Sequence, residues 1–223
     1  MQNNQPFDTR STALASKNAL DTLVLQYMRR RVLLTLNHFK PCTSLQRPII
    51  YNFRERQERT HRIVLYQCQD LLQLSSLAFV GFISRKKDSL EASILDEIHT
   101  IDKTLVVEMA DNPGILAYSS LELRTGIWYN LVLMDTHEAR NQVLASETHA
   151  YSAYQLSPRY YKWIRIHTGF MQHGIADNAM NIVRTRHYTF QQTSSKPLIR
   201  ELSYCSPTIH RGCVHHAVQK CPR

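Results

Sequence analysis

Reactive side-chain types gather between residues 128 and 171. His149 sits among small residues (Ala139, Val143, Ser146, Ala150, Ala153) that recur at helical spacing. A neutral imidazole there has the chemistry of a general base or a metal ligand, and equally that of a boundary histidine bonded to a neighbour. Tyr151 and Tyr154 share the segment, and Tyr160-Tyr161 follow it. Phenols orient aromatic substrates, or pack with a satisfied hydroxyl. Trp128 and Asn130 fall on one face of a strand, where the amide can anchor a carbonyl or oxyanion, or simply meet solvent or a partner. Trp163, Arg165 and His167 share one face of another strand; with no visible catalytic partner, they read as interface anchors. The tail carries Cys205, His210, Cys213, His215, His216 and Cys221 without the paired spacing of a zinc site, so no metal site is expected. No Walker motif, dinucleotide fingerprint, Gly-x-Ser-x-Gly or His-Glu-x-x-His is present.

The elements that must hold these residues are clearest over 77–171. Leu77 to Arg85 alternates apolar residues on both faces, the pattern of a strand buried on both sides. Asp88 and Glu91 have capping-box spacing ahead of a stripe at Leu90, Ile94, Ile98, Ile101 and Leu105. Asp111-Asn112-Pro113-Gly114 ends that helix. Two strand-like runs, 115–123 and 127–134, flank a tight turn at Arg124-Thr125-Gly126. Asp135, with Glu138 three residues on, is expected to cap a helix running to Leu156 and stopped by Ser157-Pro158. Tyr161 to Met171 is a last strand, with Ile164, Ile166, Thr168 and Phe170 on one face and Trp163, Arg165, His167 and Met171 on the other. The order β-α-β-β-α-β gives an α+β fold, ferredoxin-like, a four-stranded antiparallel sheet with two helices on one face. Its free face is apolar enough to need cover from a second subunit or from the flanking segments.

The flanks read differently. Residues 1–16 look loose, 18–38 look helical (with 32–36 equally suited to a strand), 45–60 resemble a linker, and 62–69 a strand. The chain therefore divides into a basic N-terminal extension (1–76), the ferredoxin-like domain (77–171) and a C-terminal extension with the Cys/His tail (172–223). The net charge of +9 follows the division: +6, −2 and +5. Basic flanks can contact phosphates, yet no helix-turn-helix, zinc finger, RNP or KH signature accompanies them, so nucleic acid is not an expected partner. With 43% hydrophobic and 20% charged residues, wholesale disorder is excluded, and no apolar run reaches the roughly 20 residues of a membrane span. Five cysteines, an odd number, and no signal-peptide pattern point to a reduced, cytoplasmic protein.

The stretch from Gly114 to Leu123, then Trp128 to Met134, then Asp135 through Ser157-Pro158-Arg159-Tyr160-Tyr161, resembles the dimeric α/β-barrel superfamily, which includes antibiotic-biosynthesis-monooxygenase-like proteins. The resemblance covers about 77–171. It implies a homodimer with sheets packed face to face and a small-molecule pocket between sheet and helices in each subunit. The haem-degrading branch uses an Asn on the first strand and a histidine after the second helix. Here those places hold Leu77 to Arg85 without Asn, and Pro158-Arg-Tyr-Tyr-Lys-Trp163, so the cofactor is left as none or haem. The resemblance implies a small-molecule oxygenase, with His149, Tyr154 and Asn130 orienting a phenolic or polyketide-like substrate and assisting proton removal. The alternative is a non-catalytic dimeric binding or assembly protein whose basic flanks meet an anionic partner.

Overall fold

The computed structural model describes residues 9–39, 48–124, 126–191 and 196–204, with side chains from residue 17 onward. Eight strands form one antiparallel sheet: β1 (Ile49–Arg54), β2 (Thr60–Leu65), β3 (Leu77–Lys86), β4 (Ile115–Arg124), β5 (Ile127–Met134), β6 (Tyr161–Met171), β7 (Asn181–Thr189) and β8 (Leu198–Ser203). Their order across the sheet is β1-β2-β4-β5-β3-β6-β7-β8. The protein is thus α+β, with the strands of 77–171 in the middle and a flanking hairpin added at each edge.

Side-chain alternation divides the sheet into two faces. The β3 residues Leu77, Phe79 and Ile83 point to one side, with Leu121, Tyr129, Leu131 and Leu133. The long helix α1 (Thr9–Phe39) lies there and buries Val24, Leu25, Met28, Val32 and Leu36 against them. Burying these five side chains contributes roughly 10 kcal/mol as an upper figure. Gly81 permits the close approach: a Cβ at this position would stand 2.6 Å from Leu25 Cδ1. The apolar face is therefore covered by a flanking segment of the same chain, and the surface that a face-to-face sheet dimer needs is occupied by α1.

The other face lies under α3 (Ala92–Glu108), α4 (Ala139–Ala145), α5 (Glu147–Tyr151) and α6 (Ser157–Tyr160). Here the apolar contacts form two separate groups. One joins Val64, Ala78, Val106, Met109, Tyr118 and Met134; the other joins Ile94, Leu156 and Tyr160. The main backbone approaches of α3 are to the neighbouring helices, whereas α1 approaches β2, β4 and β5 directly.

Several local expectations are corrected. The helix expected over 18–38 is present, with 32–36 helical and not a strand, but α1 begins at Thr9, within the stretch expected to be loose. The 45–60 linker contains β1, and β7 and β8 occupy the C-terminal extension. A short helix, α2 (Cys68–Gln73), follows β2. No capping box forms at Asp88: α3 starts at Ala92, and Asp88 instead faces Arg85 at 3.5 Å and Lys162 at 3.7 Å. Asp135 does not cap α4; its carboxylate accepts from the Thr136 N–H, and the helix starts at Ala139. The expected helix from 135 to 156 is broken at Ser146, which is extended (ψ 142) and whose hydroxyl accepts from His149 N–H at 3.0 Å. A π-helical turn, Ser152–Leu156, follows, and Pro158 lies inside α6 instead of ending a helix. The faces assigned to β6 agree with its register.

Candidate functional site

Two polar constellations lie on opposite faces of the sheet. Under α1, Asp21 is fully buried and accepts four hydrogen bonds: from Tyr129 OH at 2.8 Å, from Arg165 at 2.7 and 2.8 Å, and from His167 Nε2 at 3.0 Å. His167 Nδ1 meets Thr185 Oγ1 at 2.8 Å. The Arg165 guanidinium stacks on Trp163, 4.4 Å from the ring centroid. Burial raises the Asp21 carboxyl, but the hydrogen bonds and charges of His167 and Arg165 outweigh it and hold the carboxyl below its ordinary range. The strand face read as interface anchors therefore meets α1, and its partner is Asp21.

A second chain of bonds lies nearby. Glu55 Oε1 meets His61 Nδ1 at 2.8 Å, and His61 Nε2 meets Ser119 Oγ at 2.8 Å. The order carboxylate–imidazole–hydroxyl is that of a nucleophilic triad. Yet His61 and Ser119 are completely buried beneath α1, where no substrate reaches the hydroxyl. Arg31 of α1 pairs with Glu55 at 3.1 Å, so this chain also fastens α1 to the sheet. Burial pushes the His61 imidazole below its ordinary value, and the Arg31 charge adds to this against the pull of Glu55. The basic flank is partly consumed in this way: Arg29 binds Ile175 O and Asn178, and Arg62 forms a two-bond pair with Asp102 at 2.8 and 2.7 Å.

The opposite face has different character. One cross-strand row runs Arg62, Ser120, Asn130, Phe82, Ile166, Arg186 and Glu201. The adjacent row runs Val64, Tyr118, Val132, Val80, Thr168, Arg184 and Ser203. At the centre of these rows, Val80, Phe82, Asn130, Val132 and Ile166 are only half-buried although helices lie above them. These five side chains form a half-buried floor outside the buried members of the two apolar groups beneath the helices. Tyr118 OH donates to Asn130 Oδ1 at 3.0 Å, which fixes the amide. Its Nδ2 has no protein partner among the described residues. Arg62, with its guanidinium 5.4 Å from the Tyr118 ring centroid, and Asp102 of α3 close the β2 side.

Asn130 thus lies on this half-buried floor, opposite Phe82 on β3 and Ser120 on β4. His149 is half-buried on α5, and its charged neighbours are Arg140 and Glu108. Burial, then Arg140, lowers its imidazole, with Glu108 opposing. Tyr154 is 76% exposed on the outer side of its turn, and no hydrogen bond joins it to Asn130 or His149 among the described residues. A shallow cleft of about 170 Å³ between α3 and α4, lined by Glu108, Asn112, Gln142 and Ser146, is separate from this floor. Haem would need an axial donor over the floor; neither floor row supplies His, Cys or Met, and the Tyr118 hydroxyl is held by Asn130. Among the described residues no group of three or more His, Cys, Asp or Glu could hold a metal ion. The Cys205–Cys221 tail lies outside the described residues. Sequence patterning missed Arg140, Arg184 and Arg186, whose convergence needs β7 beside β6 and α4 above them.

No family model matches the chain, and no curated protein matches it. Among solved structures, it is similar to the crystal structure of a point mutant of SnoaB, a cofactor-independent oxygenase from Streptomyces nogalater, at 15% identity. That similarity covers 44% of this chain and 92% of that one, with a TM-score of 0.32. No helix among the described residues is long and apolar enough to cross a membrane.

Proposed function

We propose that this half-buried floor is the base of a hollow between sheet and helices, and that the protein binds a planar, largely apolar small molecule there. The observation that carries this reading is the half-buried floor of Val80, Phe82, Val132 and Ile166 beside an Asn130 amide donor that has no protein partner among the described residues. Sheet centres under a helical layer are normally closed by packing, and an open apolar floor with one fixed polar group is the usual make-up of a ligand pocket. Residues 77–171 are read as a ferredoxin-like unit. The order β4-β5-β3-β6, with α3 and α4–α6 on one face, supports that reading. By the sequence resemblance, the chemistry is oxygenase-like. Asn130 would hold a substrate carbonyl or phenolate, and His149 at the hollow's margin would take a proton. Tyr154 is left out because of its exposure.

The hollow is built within one chain. A homodimer of this fold uses a surface other than the sheet face that α1 covers. The test is calorimetric titration of the full-length protein with 1-naphthalenemethanol, followed by an oxygen-electrode assay with phenolic and quinol substrates. Saturable 1:1 binding that weakens in Asn130→Ala supports the reading. Absence of saturable binding at millimolar probe removes it. Oxygen uptake that depends on His149 would extend it to catalysis.

A further inference from the structure

One end of the hollow carries a charge pattern that the binding reading does not require. Arg184 and Arg186 stand two residues apart on β7, so both point to the helix-covered face. Arg186 is directly opposite Ile166, and Arg184 is opposite Thr168. Arg140, in the first turn of α4, is half-buried and lies within electrostatic reach of both. Arg186 has a carboxylate partner, Glu201 on β8. Among the described residues, Arg140 and Arg184 have no hydrogen-bond or salt-bridge partner. Half-buried guanidiniums converging without matching carboxylates repel one another, and burial adds to the cost. The same burial and like charges lower the Arg140 guanidinium. An anion placed among them would remove that repulsion and meet planar, two-pronged donors.

The cluster adjoins the floor. From Val80 and Phe82 the rows pass through Thr168 and Ile166 straight to Arg184 and Arg186. A ligand lying flat on the valine, phenylalanine and isoleucine side chains has its polar ends at fixed places: Asn130 one strand beyond Phe82, and the arginines one strand beyond Ile166 on the other side.

We propose that Arg140 and Arg184, with Arg186 beside them, form the anion-recognition end of the hollow, and that its ligand is an aromatic carboxylate. This rests on the hollow being a ligand site, and it adds the ligand's chemical class. Two guanidiniums at one end, unpaired among the described residues, suit a carboxylate, which one arginine grips with both oxygens while the second supplies further charge.

The test compares 1-naphthoate with 1-naphthalenemethanol, which has the same ring system without the charge, by calorimetry on the full-length protein. The acid is expected to bind about tenfold more tightly or better, since one charge-assisted hydrogen-bond pair supplies that factor. The preference should shrink with added salt and disappear in Arg140→Gln and in Arg184→Gln, with binding of the neutral probe unchanged. Arg200→Gln, an exposed β8 position, serves as the control and should keep the preference. Equal affinity for acid and alcohol, or a preference that survives both substitutions, overturns the inference while leaving the hollow intact. 1-Naphthyl phosphate binding more tightly than the carboxylate overturns the carboxylate assignment. Failure of both naphthyl probes to bind overturns the hollow itself. Far-ultraviolet circular dichroism of each variant separates lost recognition from lost fold.

Discussion

Replacing Asp21 with Asn should release much of the grip of α1 on the sheet. The side chain keeps its shape but loses its charge, and Arg165, only 7% exposed, keeps its own with no other carboxylate in contact among the described residues. Tyr129 bonds to Oδ1 and His167 to Oδ2, and because the amide keeps a single oxygen, one of the two loses its acceptor. Removing one partner of a buried ion pair costs about 3–5 kcal/mol, chiefly because the surviving charge stays buried and unpaired. For a chain of this size each kcal/mol shifts Tm by about 2–4 °C, so a fall of roughly 10 °C is expected. The assay is urea unfolding followed by circular dichroism, with Tm as a second readout. The double variant Asp21→Leu, Arg165→Met removes both charges and should be less destabilised than Asp21→Asn alone, because apolar replacement of a whole buried pair is often neutral. A loss below about 1 kcal/mol for Asp21→Asn, or a double variant worse than the single, would refute the view that this network ties α1 to the sheet.

Other consequences follow from the same geometry. The Asp21 and Glu55 carboxyls are held below their ordinary values, so each contributes stability above the unfolded carboxylate range that is lost as pH falls through its folded value. His61 is also depressed, and His187 is pushed down to about 4, so the unfolded chain takes up protons first, and stability should already decline below about pH 6.5; a flat urea midpoint between pH 7 and 5 would contradict this. Gly81→Val should destabilise by about 1–3 kcal/mol through overpacking against Leu25, as read from urea midpoints. Val132→Phe, which puts bulk onto the hollow's half-open floor, should leave Tm within a few degrees of the parent while abolishing naphthyl binding in calorimetry.

The middle of the sheet was legible because its signals are local. Leu77 to Lys86 and Tyr161 to Met171 alternate cleanly, and the face assigned to each residue of the last strand matches the register. The edges were not legible for physical reasons. Ile49–Arg54 is largely exposed and half polar, so its sequence looks like a linker, and only pairing with β2 makes it a strand. In α1 the outward Leu20, Leu23, Tyr27 and Leu34 are exposed while Leu25, Met28, Val32 and Leu36 are buried, so apolar residues surround the helix and blur its period. The small-residue stripe from Ala139 to Ala153 was visible, but not the break at Ser146 that divides it. Of the candidate site, Asn130 could be placed on a strand face from sequence alone. Asp21 could not be linked to Arg165, 144 residues away, nor Arg140 to Arg184, because both pairings depend on which elements meet across the sheet.

The central claim is that ligand enters the hollow over β3, β5 and β6. Isotope-filtered NMR of methyl-labelled protein with bound 1-naphthoate tests it most directly. The account predicts intermolecular contacts from the naphthyl protons to the methyls of Val80, Val132 and Ile166. Contacts instead to Leu20, Leu23 and Leu34 on the outer side of α1 would contradict it.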